Sequence, residues 1–298
     1  MLRTVKIYSF QGIALEDIPP EMVVVLPNVE TFSLTSRGKE VYDVAVHISC
    51  PRARDVSLAC EVDELEMSLG REVFPTPVLW NAILHQYTKS PVEEVTLEVQ
   101  PYLEPCSLTF RSSDTSAITL GFKLIPCEDM EEHDIDFDKI VSDVFSQGFN
   151  TILAHPLLPN IKRLCIRGRG LEEERFLPRL SATEIGKLFE RAGPLDQLTV
   201  GGCYLYPYFA GFGMLGNMWR PAVFHPIKEL KILHPMIESG RMGQCMGFVV
   251  GLAKSQHMRG MPFERVTIRA KILPVTMAEV LTQWVGVADC CEDPTPES

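Results

Sequence analysis

Leu158 to Ile166 reads LPNIKRLCI: a proline, then apolar side chains at Ile161, Leu164 and Ile166 with polar ones between them. The same unit, apolar-x-x-apolar-x-apolar, returns as Leu2-Val5-Ile7, Val29-Phe32-Leu34, Ala53-Val56-Leu58, Val92-Val95-Leu97, Leu195-Leu198-Val200, Ile227-Leu230-Ile232 and Phe263-Val266-Ile268. All but the first follow a proline, as in LPNVETFSL, CPRARDVSL, SPVEEVTL, GPLDQLTV, HPIKELKIL and MPFERVTI. Period two at the end of each unit predicts a strand, and the proline marks where it starts. At this apolar content, chance would supply about four such units with three polar x positions; eight occur, starting 27, 24, 39, 69, 34, 32 and 36 residues apart.

Helical patterns fill the intervals. Val78 to Tyr87 places Trp80, Ile83, Leu84 and Tyr87 on one face. Ser181 to Glu184 opens a second helix as a capping box. Ile140–Leu153, Cys245–Lys254 and Met277–Val287 read the same way. Strand and helix alternating at this period predict an α/β fold: an irregular leucine-rich-repeat solenoid, or horseshoe, over residues 1–289, with parallel strands on the concave face and helices outside. In a doubly wound sheet the central strands are apolar on both faces. Here every unit keeps one face polar.

One β-hairpin is inserted within residues 103–139. Cys106 to Leu124 alternates on either side of the turn Ser112-Ser113-Asp114-Thr115, and the acidic run Glu128 to Asp138 follows. Residues 290–298, CCEDPTPES, read as a disordered acidic tail. On the strands, alternate side chains face opposite ways. The polar positions therefore form a candidate protein-binding face: Thr31, Ser33, Asp55, Ser57, Glu94, Thr96, Arg163, Cys165, Gln197, Thr199, Glu229, Lys231, Arg265 and Thr267. Before them come Glu30, Arg54, Glu93, Lys162, Asp196, Lys228 and Glu264. A second candidate contact is the aromatic loop Tyr204 to Trp219, with Tyr204, Tyr206, Tyr208, Phe209, Phe212 and Trp219 as adaptable anchors.

LPNVETFSLTSR, LTFRSSD, HPLLPNIKRLCI, LAKSQHMRGMPFERVTI and the closing WVGVADCCED resemble the leucine-rich-repeat region of fungal F-box proteins, over nearly the whole chain. The resemblance implies a non-enzymatic scaffold like the substrate-recognition repeats of a ubiquitin-ligase receptor, which holds a protein target. In that family an F-box ahead of the repeats grips a Skp-type adaptor. No F-box is legible ahead of the first strand here, and Asp17-Ile-Pro-Pro-Glu21 is only a faint echo of its opening. Adaptor binding is thus expected only if an F-box is supplied from outside this chain.

Composition narrows the classes further. Hydrophobic residues are 46% and charged residues 22%, enough to bury a core. The net charge is −11, split between −14 for residues 1–149 (11 Lys/Arg, 25 Asp/Glu) and +3 for residues 150–298 (17 and 14). Such acidity argues against nucleic-acid and anionic-membrane partners. The N-terminal residues have no secretory h-region, and the nine cysteines show no CxxC or Cys/His spacing, which points to an intracellular protein with no metal site. Gly211-Phe-Gly213-Met-Leu-Gly216 matches GxGxxG and supports an alternative reading, an α/β enzyme or nucleotide-binding protein, but it does not directly follow a strand. Asp134-x-Asp136-x-Asp138 lacks the glycine and glutamate that an EF-hand loop needs. With no nucleophile-base set legible, no catalytic residue and no cofactor are expected.

Overall fold

The computed structural model describes residues 3–8, 22–38, 40–63, 73–99, 106–114, 116–125, 137–168, 187–188, 190–201, 225–233, 242–270, 273 and 276–292. The chain is α/β and divides into two compact units, Met1–His155 and Pro156–Ser298. Its described strands build large, mostly parallel sheet, six strands in the first unit and five in the second, with few helices.

In the first unit the strands are β1 (Thr4–Tyr8), β3 (Thr31–Arg37), β5 (Asp55–Asp63), β6 (Val92–Val99), β7 (Cys106–Ser112) and β8 (Ala117–Ile125). A separate parallel pair joins β2 (Val24–Val25) to β4 (Ile48–Ser49). The sheet order is β1-β3-β5-β8-β7-β6. The hairpin expected as an insertion therefore does not sit beside the repeats. It lies within the sheet, β8 parallel to β5 and β7 antiparallel to β6, displacing β6 from the neighbour that chain order would give it. The cause is the match of apolar rows. Ile118, Leu120 and Phe122 fall opposite Val56, Leu58 and Cys60, while Phe110 and Leu108 fall opposite Val95 and Leu97. All of these are buried. In this position both outer edges of the hairpin find backbone partners, which an isolated hairpin would leave exposed.

Helices cover that apolar face. α1 (Glu40–Ala45) buries Val41, Tyr42 and Ala45. α2 (Pro77–Tyr87) starts with Thr76 as N-cap, accepting from Leu79 N–H, and Pro77 in its first turn. Its Trp80 stands edge-on to Phe110 at 4.4 Å, and its Tyr87 stacks with Phe32 at 6.1 Å. α3 (Phe137–Ala154) leads into His155, which is 1% exposed beside Trp80 and Phe110.

The second unit runs in chain order: β9 (Arg163–Gly168), β10 (Leu195–Gly201), β11 (Ile227–Leu233), β12 (Arg265–Ala270) and β13 (Val287–Glu292), all parallel. Leu164, Leu198, Leu230 and Val266 stand in one buried row, and Ile166, Val200, Ile232 and Ile268 in the next. α4 (Met242–Met258) returns the chain from β11 to β12. It ends at Gly260, whose φ of 74° is left-handed and suits glycine.

The closing segment differs from expectation. The helix read over Met277–Val287 is only α5 (Met277–Leu281), and Val287 already begins β13, which carries Cys290 and Cys291 three residues into the stretch read as tail. The chain turns at Gly286, where a Cβ would lie 2.7 Å from the Glu264 carbonyl oxygen. The open edge of β12 then templates a strand whose own alternation is weak.

Candidate interaction face

Along the strands inside the sheet one set of side chains is buried and the alternate set lies on the opposite side. In the first unit the outward rows read Thr4-Thr31-Asp55-Ala117-Arg111-Glu94 and Lys6-Ser33-Ser57-Thr119-Thr109-Thr96. In the second they read Arg163-Gln197-Glu229-Arg265-Val287 and Cys165-Thr199-Lys231-Thr267-Asp289. The strand positions read as polar in the sequence thus fall in these outward rows, in register with their neighbours. Thr199 and Thr267 are an exception in accessibility: at 5% and 9% exposure they are buried, because longer neighbours such as Lys231 close over short branched side chains.

The two faces carry different chemistry. The second row of the first unit is mostly hydroxyls, with the Thr109 and Thr119 oxygens 3.1 Å apart. Around it stand cross-strand pairs, Arg111–Glu94 at 3.9 Å and Lys123–Glu61 at 3.7 Å. In the second unit Lys231 donates to Gln197 Oε1 at 3.0 Å and lies 3.9 Å from Glu229, while Gln197 Nε2 donates to Thr199 Oγ1 at 3.0 Å. Arg269 donates to Asp289 at 3.1 Å. Exposed pairs of this kind contribute roughly 0.2–1 kcal/mol each. They order the surface more than they stabilise it.

Sequence reading missed Lys6, Arg111, Thr109 and Thr119 on this face, and Asp289 on β13. The polar positions of the hairpin, Thr109 and Arg111 against Thr119 and Lys123, were the available signal for most of them. The aromatic loop Tyr204, Tyr206, Tyr208, Phe209, Phe212 and Trp219, the Gly211–Gly216 motif, residues 128–136 of the acidic run and residues 293–298 lie outside the described residues.

Among the described residues there is no group of three His, Cys, Asp or Glu side chains placed to hold a metal, and no helix is long and apolar enough to cross a membrane. Cys50, Cys60, Cys165, Cys290 and Cys291 are not in disulfides; burial pushes the Cys50 thiol up to about 11. Comparison with known protein families, with curated proteins and with solved structures found no match.

Proposed function

We propose that this chain is a non-enzymatic protein-interaction scaffold. It is a leucine-rich-repeat-like solenoid whose outward strand face holds a protein target, in the manner of the substrate-recognition repeats of an F-box ubiquitin-ligase receptor. The observation that carries this reading is the set of in-register polar rows. Short hydroxyl side chains and partly compensated charges lie open over successive strands, while the opposite side of the same strands is filled with apolar side chains. Among the described residues the helices cover the apolar side, and the polar side is ordered by cross-strand contacts. Such a face recognises a surface, with specificity set by complementary charge.

A photo-crosslinking amino acid at Ser57 or Gln197, on the strand face, tests this against the same group at Val78, which is 81% exposed on α2. The reading expects one protein adduct from both strand positions and none from Val78. Equal labelling from all three, or none from any, would contradict it. The purified chain alone is expected not to bind a Skp-type adaptor; micromolar binding would overturn that part.

A further inference from the structure

The first polar residue of each repeat unit alternates in charge: Arg3, Glu30, Arg54 and Glu93 in the first unit, then Lys162, Asp196, Lys228 and Glu264 in the second. In a parallel sheet laid down in chain order these positions become neighbours, so each cation stands beside an anion. The second unit does this. Asp196 N–H donates to the Lys162 carbonyl at 2.7 Å, Glu264 N–H to the Lys228 carbonyl at 2.8 Å, and Lys228 Nζ lies 2.6 Å from Asp196 Oδ1.

The first unit starts alike. Glu30 N–H donates to the Arg3 carbonyl, Arg54 N–H to the Glu30 carbonyl, both at 2.8 Å, and the Arg3 and Glu30 side chains lie 3.8 Å apart. The hairpin then intervenes. β8 takes the place beside β5, so the next link in the ladder is Ala117 N–H donating to the Arg54 carbonyl at 2.6 Å. Register puts neutral Ser116 where Glu93 would have stood. Arg54 keeps its charge and loses its partner: among the described residues no ion pair or side-chain hydrogen bond involves it, nor Lys89.

A cleft of about 520 Å³ opens at this point, lined by Glu30, Arg54, Gln86, Tyr87, Lys89, Asp114 and Ser116 together with the turn Cys50–Ala53. Its cations are held in place from behind. Pro51 sits at the second position of that turn, closed by Ala53 N–H donating to the Cys50 carbonyl at 3.0 Å, and among the described residues Arg52 donates to neutral Asn28 Oδ1 at 3.4 Å. Its two carboxylates are engaged elsewhere, Glu30 with Arg3, and Asp114 as acceptor from the Ser112 and Ser116 hydroxyls and the Ser116 N–H.

We propose that this cleft binds a small phosphate monoester, its phosphoryl head clasped by Arg54, Arg52 and Lys89 and its compact organic body against Pro51, Ala53 and the Tyr87 ring. The volume suits a small ligand, and a guanidinium matches phosphoryl oxygens in charge and in fork geometry. At the floor the Tyr87 hydroxyl is spent on the Ala45 and Ile48 carbonyls, at 2.9 and 2.8 Å, which leaves the ring edge as an apolar contact, and burial pushes the Cys50 thiol up to about 11.

Calorimetric titration of the full chain with phenyl phosphate, benzoate, benzyl alcohol and inorganic phosphate tests the proposal. Phenyl phosphate is expected to bind saturably at one site, benzoate and inorganic phosphate more weakly, and benzyl alcohol not at all. Arg54→Gln and Lys89→Gln, both exposed positions, should each weaken phenyl phosphate by about tenfold, and Ser116→Glu, which restores the missing anion, should abolish binding. Arg265→Gln, an exposed arginine of the second unit, should leave it unchanged. The proposal is overturned if phenyl phosphate does not saturate at low ionic strength, if Arg54→Gln leaves its affinity unchanged, if Arg265→Gln reduces it equally, or if benzoate binds as tightly.

Discussion

The two units of this protein use one six-residue unit as their strand, but only the second lays its strands down in the order of the chain. In that unit β9 to β13 follow one another, all parallel, and outward charges meet opposite charges from strand to strand, Lys228 with Asp196 between β11 and β10 and Arg269 with Asp289 between β12 and β13. In the first unit β5 is followed in the sheet by β8 and β7 before β6 is reached. The apolar rows pass through this rearrangement without a break, because the hairpin brings the same alternation and fills the same layer. The polar side does not. Where burial drives the pairing, any apolar strand in phase serves; where charge ordered the surface, a substituted neighbour leaves a cation over. One sheet can thus be continuous in its core and interrupted in its electrostatics.

Substitutions in the two cores sharpen that contrast. The largest effect is expected for Trp80→Ala. Trp80 is fully buried, 4.4 Å from Phe110 of the hairpin, and its loss should cost about 3–5 kcal/mol in denaturant unfolding. A loss below about 1 kcal/mol would mean that the hairpin contributes little to the core of the first unit. In the second unit Leu164→Ala should cost about 2–5 kcal/mol, since Leu164 is 1% exposed in a row of leucines.

A pH titration of stability separates the units next. Burial lowers the His155 imidazole of the first unit from 6.5 to about 4. The unfolded chain takes up this proton at the higher pH, so between those values the unfolded state binds more protons and stability falls as pH falls. The full effect is about 3 kcal/mol, complete near pH 4, and His155→Leu should flatten it. An unchanged profile in that variant would place the acid sensitivity elsewhere.

Gln256 gives a smaller effect in the second unit. Fully buried on α4, it accepts from Ile227 N–H at 3.1 Å and donates to the Ile227 carbonyl at 3.2 Å. Gln256→Ala should cost about 1–3 kcal/mol and speed hydrogen exchange at the Ile227 amide; unaltered exchange would show that the strand start is held by other means. The smallest effect is expected for Arg163→Ala, beside Leu164 but on the outward row, within about 0.5 kcal/mol and felt in partner binding. A loss equal to that of Leu164→Ala would invert the assignment of faces.

The sequence by itself determined the strands of the eight units and of the hairpin, and which way their side chains point. The two apolar positions that close the units after the first, such as Leu164 and Ile166 or Leu198 and Val200, are buried as the period-two pattern requires, Val5 and Ile7 of β1 are half-buried, and the hairpin between Cys106 and Leu124 forms where its alternation and turn residues put it. These features are local, fixed by backbone geometry and the cost of exposing apolar surface. Tertiary structure alone decided the order of the strands. Alternation specifies a face and leaves the neighbour unnamed, so β6 and β8 compete for the edge of β5 with the same kind of apolar row. Tertiary structure also made a strand of Val287–Glu292, a stretch with little alternation of its own, because β12 presents an unpaired row of backbone donors and acceptors beside it. The cleft at Arg54 belongs to this second kind: its residues come from Cys50–Arg54, Gln86–Lys89 and the β7–β8 turn, and no spacing along the chain brings those together.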